Sequence, residues 1–123
     1  MKPISSFTLH ALIEEIKPAI EGSILDKVQQ VGRETFKISF NTKKGKRELL
    51  IELGVRLNLT EFAIPAPPTP SNFAMQLRRK LKGKRLSSID QHGFDRVVTL
   101  DFGDNKLIAE FFSHGNLVIT DKN

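Results

Sequence analysis

Cysteine, tryptophan and tyrosine are all absent from the 123 residues of this chain. Without a thiol there is neither a disulfide staple nor a thiolate metal site, which agrees with a reducing compartment. No apolar run approaches the roughly 18 residues that a membrane-spanning helix needs, so no membrane partner is expected. The opening stretch carries Lys2 but then mixes Glu14, Glu15 and Lys17 among its apolar residues. A secretory leader would exclude those charges, and the expected location is the cytoplasm. Catalytic signatures are missing as well: there is no G-x-S-x-G, no H-E-x-x-H, no P-loop and no Gly-rich dinucleotide pattern. His10, His92 and His114 are scattered, none with a second His three or four residues on. Asp90, His92 and Asp95 form a short cluster of ligand-type side chains, but a turn between two strands accounts for the same residues. No enzyme activity, cofactor or metal is therefore expected.

What is present suits one small globular domain spanning residues 1–123, with nine Phe supplying the aromatic mass of a single core. Leu9, Leu12, Ile13, Ile16 and Ile20 recur at helical spacing, with Ser5 or Ser6 as cap and Gly22 just past the end. Pro18 falls late in that helix and is expected to kink or restart its last turn. Beyond Gly22 the period changes to two. Ile24, Asp26 and Val28 alternate with Leu25 and Lys27, then Phe36, Ile38 and Phe40 with Lys37 and Ser39. Apolar runs at 49–53 and 55–59 follow a turn at Gly45, and the pattern reads as an antiparallel meander. Four prolines between Pro65 and Pro70 form a stiff loop, because each lacks an N–H and restrains its predecessor. Ser71 then caps a second helix with Phe73, Ala74, Leu77 and Leu81 on one face, ended by Gly83. Further strands are expected at 86–89, 98–102, 107–112 and 117–119, separated by turns at Gly103-Asp104-Asn105 and His114-Gly115-Asn116. Seven or eight strands and two helices predict an α+β domain, a small antiparallel β-sandwich or partly closed barrel.

The charge is unevenly spread. Six of the eight residues from Arg78 to Arg85 are cationic (Arg78, Arg79, Lys80, Lys82, Lys84, Arg85), while the net charge is +5, so the remaining residues sum to −1. On a helical wheel Arg78, Arg79 and Lys82 point away from the apolar stripe, so the core would anchor the helix while its outer face presents cations. Six neighbouring cations repel one another, an arrangement that a polyanion such as a nucleic-acid backbone offsets. The run is therefore expected to contact a nucleic-acid backbone, the alternative being a solvated helix end whose cations favour the helix dipole. Lys43, Lys44, Lys46 and Arg47 form a second group at the Gly45 turn, which reads as an ordinary charged turn.

Four segments carry a family resemblance: the opening MKPISSFTLHALIEEIKPAIEG, the block LTEFAIPAPPTPSNFAMQLRRKLKGKRL, the tetrapeptide GFDR and the closing LIAEFFSHGNLVITD. Together, over nearly the whole chain, they resemble the amino-terminal domain of the NFACT family. That family comprises the fibronectin-binding-protein-A-like proteins and the nuclear export mediator factor of ribosome-associated quality control. The resemblance implies a module that engages the large ribosomal subunit after stalling, recruits charged tRNA and supports template-free tailing of the nascent chain; in eukaryotes such proteins also help recruit a ubiquitin ligase. The family's tRNA-engaging Asp-Arg pair falls on Asp95 and Arg96. An acidic residue that the family often places in the first helix falls on Thr8, a departure that bears on the tRNA-dependent step. The resemblance further implies that this domain is the amino-terminal part of a longer protein.

The same resemblance implies a fold like the amino-terminal domain of formamidopyrimidine-type DNA glycosylases, which attack with the amine of an amino-terminal proline. Here Lys2 precedes Pro3, whose nitrogen is acylated, and Ile4 stands where an acid would be. An amide nitrogen is no nucleophile, so that chemistry is excluded and only a DNA-binding relative remains as an alternative. A protein-interaction domain, docking through the proline loop and Phe-rich surface, is the other.

Overall fold

The computed structural model describes residues 4–61, 65, 67–93, 95–111 and 115–121. Met1, Lys2, Pro3, Phe94, Phe112 and His114, on which parts of the sequence reading fall, lie outside them. The element order is α1 (Ser6–Ile20), β1 (Ile24–Gln30), β2 (Thr35–Thr42), β3 (Gly45–Glu52), β4 (Arg56–Thr60), α2 (Asn72–Leu81), β5 (Ser88–Gln91), β6 (Val97–Asp101), β7 (Asn105–Glu110) and β8 (Asn116–Asp121). The strands form two four-stranded antiparallel meanders, β1-β2-β3-β4 and β5-β6-β7-β8. Of the two expected forms the barrel is not observed: both sheets remain open. They are joined through residues 83–88. Gly83 and Leu86 bond along the edge of β1, where Arg85 pairs with Ile24, and Ser87 then bonds the Asp101 carbonyl of β6.

Local signals explain the helix ends. The Ser5 hydroxyl accepts from the Thr8 amide at 3.1 Å, and the Ser71 hydroxyl from the Ala74 amide at 3.1 Å. Gly22 and Gly83, each just past a C-cap, hold φ of +85° and +82°. α1 runs through Pro18 as one element. Proline removes the bond to the Glu14 carbonyl, but Glu14 and Pro18 are both exposed, so water can take that partner's place.

The expected alternation in β1 fails at one residue. The pairing steps from Leu25↔Phe40 to Lys27↔Ser39, leaving Asp26 unpaired in a bulge. Leu25 and Val28 are both fully buried as a result, three residues apart, whereas strict alternation would put them on opposite faces.

One hydrophobic cluster draws on α1, both sheets and α2. α1 contributes Leu9, Ile13, Ile16 and Ile20 and packs against β2, β4 and β5, so it bridges the two sheets. α2 lies on β1, burying Ala74, Leu77 and Leu81, while Phe73 meets Phe36 edge-on at 5.8 Å. Burying Leu77 and Leu81 contributes about 2 kcal/mol each, enough to hold a ten-residue helix that would not persist alone.

A polar clamp fastens α1 to β5. The Lys17 ammonium donates to Glu21 Oε2 (2.9 Å), the Ile89 carbonyl (2.8 Å) and Asp90 Oδ1 (2.6 Å), while Glu21 Oε2 also accepts from the Ile89 amide (2.9 Å). The bond from Lys17 holds the Asp90 carboxyl below the ordinary carboxylate range. Burial works against the charge on Lys17, but Asp90 and Glu21 outweigh it and raise its pKa.

Candidate nucleic-acid interface

The basic run does not stand as one free row of cations. Arg78 Nε donates to the Val28 carbonyl at 2.7 Å, so part of its guanidinium is spent tying α2 to β1 instead of facing outward. Lys80 reaches Asp121 on β8, at 2.9 and 3.0 Å from the two carboxylate oxygens, and its bond holds that carboxyl below its ordinary range. Lys84 donates to the buried Asn105 side chain at 2.6 Å and lies 4.0 Å from Asp104. Asn105 in turn donates to Asp121 at 2.7 Å, so Lys80, Asp121, Asn105 and Lys84 form a network linking α2 and its exit to the second sheet. Arg85 donates to the Gly22 carbonyl at the end of α1. Among the described residues, Arg79 and Lys82 are exposed and have no hydrogen-bond or ion-pair partner for their side chains.

The division follows from helix geometry and the two neighbouring sheets. Arg78 flanks the buried Leu77 and sits close to β1, Lys80 is turned toward β8, and Arg79 and Lys82 lie on the remaining, solvent side. The helix C-terminus also favours these cations, since its last carbonyls carry the negative end of the dipole.

Asp95 and Arg96 occupy a separate corner. They lie in the turn between β5 and β6, closed by bonds from His92 N to Val97 O (2.9 Å) and Asp95 N to His92 O (3.0 Å). Gln91 Nε2 donates to the Asp95 carbonyl (2.8 Å) and the Ser6 carbonyl (3.2 Å), setting the turn against the start of α1. The Arg96 carbonyl accepts from the Phe111 amide at 2.7 Å, which fixes the backbone while the side chain remains uncommitted among the described residues. The Asp95 carboxylate is exposed, 3.5 Å from His92 Nδ1. Asp90, the third member of the sequence cluster, is turned to Lys17, so these three side chains are not gathered as a ligand set.

Thr8 also lies at this end of α1. Its hydroxyl accepts from Ser5 Oγ at 2.9 Å and lines a groove of about 410 Å³ with Leu12, Arg56 and Asn58. Phe7 beside it is 79% exposed, a large apolar side chain that the sequence did not single out. With 1.5 Å of rise per residue, the two ends of α1 stand about 21 Å apart. The Asp95-Arg96 corner meets one end and Arg85 the other, so the two predicted groups are not brought together.

The cations at the Gly45 turn share a cleft with Arg85. Lys43 and Lys44 form a two-residue loop between Thr42 and Gly45, tightened by bonds from Thr42 Oγ1 to the Gly45 carbonyl (2.6 Å) and from the Lys44 amide to Thr42 Oγ1 (3.1 Å). Together with Arg47 they face Arg85 and the end of α1 across a cleft of about 930 Å³. The register that brings them there, Arg85↔Ile24 and Ile24↔Asn41, is a tertiary fact with no local signature.

Comparison with known proteins agrees with this architecture. The chain is 39% identical over 124 residues to Ribosome quality control complex subunit 2 of Saccharomyces cerevisiae, an alignment covering 98% of this chain and 12% of that protein. It is 37% identical over 121 residues to Ribosome quality control complex subunit NEMF of Homo sapiens, covering 95% of this chain and 11% of that one. The chain thus spans about an eighth or less of the length of these relatives. Among solved structures, the N-terminal domain of fibronectin-binding protein PavA from Streptococcus pneumoniae superposes with a TM-score of 0.88 at 28% identity, over 97% of this chain and 50% of that chain. The family described as NFACT N-terminal and middle domains matches residues 5–123, and with these identities the chain belongs to the NFACT family.

Proposed function

We infer that this chain is a non-catalytic RNA-binding module of a ribosome-associated quality control factor, engaging the large ribosomal subunit and tRNA. The kinship with two ribosome quality control subunits supports the setting. The observation that carries the RNA part is the pair Arg79 and Lys82, exposed and without a side-chain partner among the described residues, on a helix whose other face is locked into the core by Leu77 and Leu81. Cations held rigidly and left unneutralised suit phosphate contacts that orient a nucleic acid without reading its sequence. Asp95 and Arg96, on a turn braced by Gln91 and Phe111, suit the more selective contact: a guanidinium can fork to a phosphate or base edge, and a carboxylate can accept from base amino groups.

Cosedimentation with split large ribosomal subunits tests the reading. Arg79→Gln/Lys82→Gln should weaken association with every RNA alike, and Asp95→Ala or Arg96→Ala should chiefly reduce tRNA binding. Wild-type association that is indifferent to salt and to all four changes would refute it. Docking of a protein partner is a second reading, favoured by Phe7 at 79% and Met75 at 47% exposure. Loss of sedimentation in Phe7→Ser with RNA affinity intact would select it.

A further inference from the structure

We propose that the cleft between the end of α1 and the β2–β3 hairpin is a second RNA phosphate site, with Lys43, Lys44, Arg47 and Arg85 as its contacts. This deepens the RNA-binding reading above and rests on it. Three segments distant in sequence converge here: Gly22 past α1, the hairpin, and Arg85 on the edge of β1. Among the described residues the lining holds four cations and one carboxylate, Glu21, which is already occupied by the Lys17 ammonium and the Ile89 amide. Among the described residues Lys43, Lys44 and Arg47 have no carboxylate within ion-pair distance, whereas their neighbour Lys46 lies 3.9 Å from Asp26. The Arg85 guanidinium is held on the Gly22 carbonyl, which fixes its plane and leaves its other donors for a ligand.

The spacing suits an extended phosphate chain. Arg85, Ile24 and Asn41 sit side by side on adjacent strands, so about 10 Å separates Arg85 from the row leading into the hairpin. Lys82 precedes Arg85 by three residues and lies no more than about 11 Å from it. Arg79, Lys82, Arg85 and the hairpin cations Lys43, Lys44 and Arg47, none of them ion-paired among the described residues, would on this proposal serve one track of phosphates leading off α2. A nucleic-acid strand is matched by such a track because its charges recur every few ångströms. A single small anion would use only part of it.

The test compares wild type with Lys43→Gln/Lys44→Gln/Arg47→Gln, which leaves Arg85 and its Gly22 bond in place, using circular dichroism to verify folding. The probe is a short single-stranded RNA of mixed sequence titrated between about 50 and 200 mM salt. Six contacts at roughly 0.7 counterions each give a wild-type slope of log affinity against log salt near −4, and the hairpin variant should fall to about −2. Over that salt range wild type should weaken about 300-fold and the variant only about 20-fold. An unchanged slope in the hairpin variant, alongside a reduced slope in Arg79→Gln/Lys82→Gln, overturns the cleft and leaves the RNA-binding reading intact. Salt-independent or absent RNA binding by wild type overturns both. Poly-glutamate of equal charge that competes as well as RNA, and loses to the hairpin variant equally, overturns the assignment to RNA in favour of an acidic protein.

Discussion

Replacing Lys17 by Met removes the clamp between α1 and β5 while keeping the aliphatic stem. Three acceptors lose a charged donor: the Ile89 carbonyl, Glu21 and Asp90. Ammonium-to-carbonyl bonding is the largest contribution, about 1.5 kcal/mol, because a partly buried backbone oxygen is left unpaired. Glu21 keeps the Ile89 amide and loses about 0.5–1 kcal/mol; Asp90, with a side chain 60% exposed, loses less through solvent screening. The sum is about 2–3 kcal/mol at neutral pH, equivalent to a drop in Tm of about 10 °C for a chain of this length. Urea unfolding followed by circular dichroism measures it. The pH dependence supplies a second check. The Lys17 bond depresses the folded-state pKa of Asp90 below its ordinary 3.8, so its stabilisation is complete above that value and disappears as pH falls through the folded pKa. The raised pKa of Lys17 acts at the other limit: its contribution is complete below 10.5 and is lost as pH rises through the folded value. The difference between wild type and Lys17→Met should thus be widest at neutral pH and narrow toward both extremes. A difference under about 0.5 kcal/mol at neutral pH, or one equally large in strong acid, would refute the clamp.

Gly115→Ala should destabilise by about 2–4 kcal/mol, since φ is +75° and the new methyl would stand 2.6 Å from Leu53 Cβ; Gly103→Ala, at φ +88° with open space around it, should lose only about 1 kcal/mol, both by thermal melts. Leu77→Ala, fully buried under α2, should lose about 3 kcal/mol and, by loosening the helix, flatten the salt dependence of RNA binding as well. Arg79→Ala and Lys82→Ala should leave the urea midpoint within about 0.5 kcal/mol, whereas Lys84→Ala, which strips a partner from buried Asn105, should cost about 1–2 kcal/mol. Equal effects in those three variants would mean that the cations of the run are not divided between structure and surface.

Much of this molecule follows from short-range chemistry. Hydroxyls at Ser5 and Ser71, glycines after the helix ends and the change of period from 3.6 to two locate both helices and nearly every strand, because a cap or a repeat needs only neighbours within a turn. The NFACT resemblance was equally legible, being carried by contiguous blocks. Sequence could not reveal the bulge at Asp26, which overrides alternation so that Leu25 and Val28 can both reach the core. Nor could it sort the cations. Lys80, Arg78 and Arg85 meet partners 41, 50 and 63 residues away, and Arg85 joins the hairpin only through strand pairing. Local spacing determines which residues share a helix face. Which of their charges remain free for a ligand depends on what the rest of the chain folds against them, and only the tertiary structure decides that.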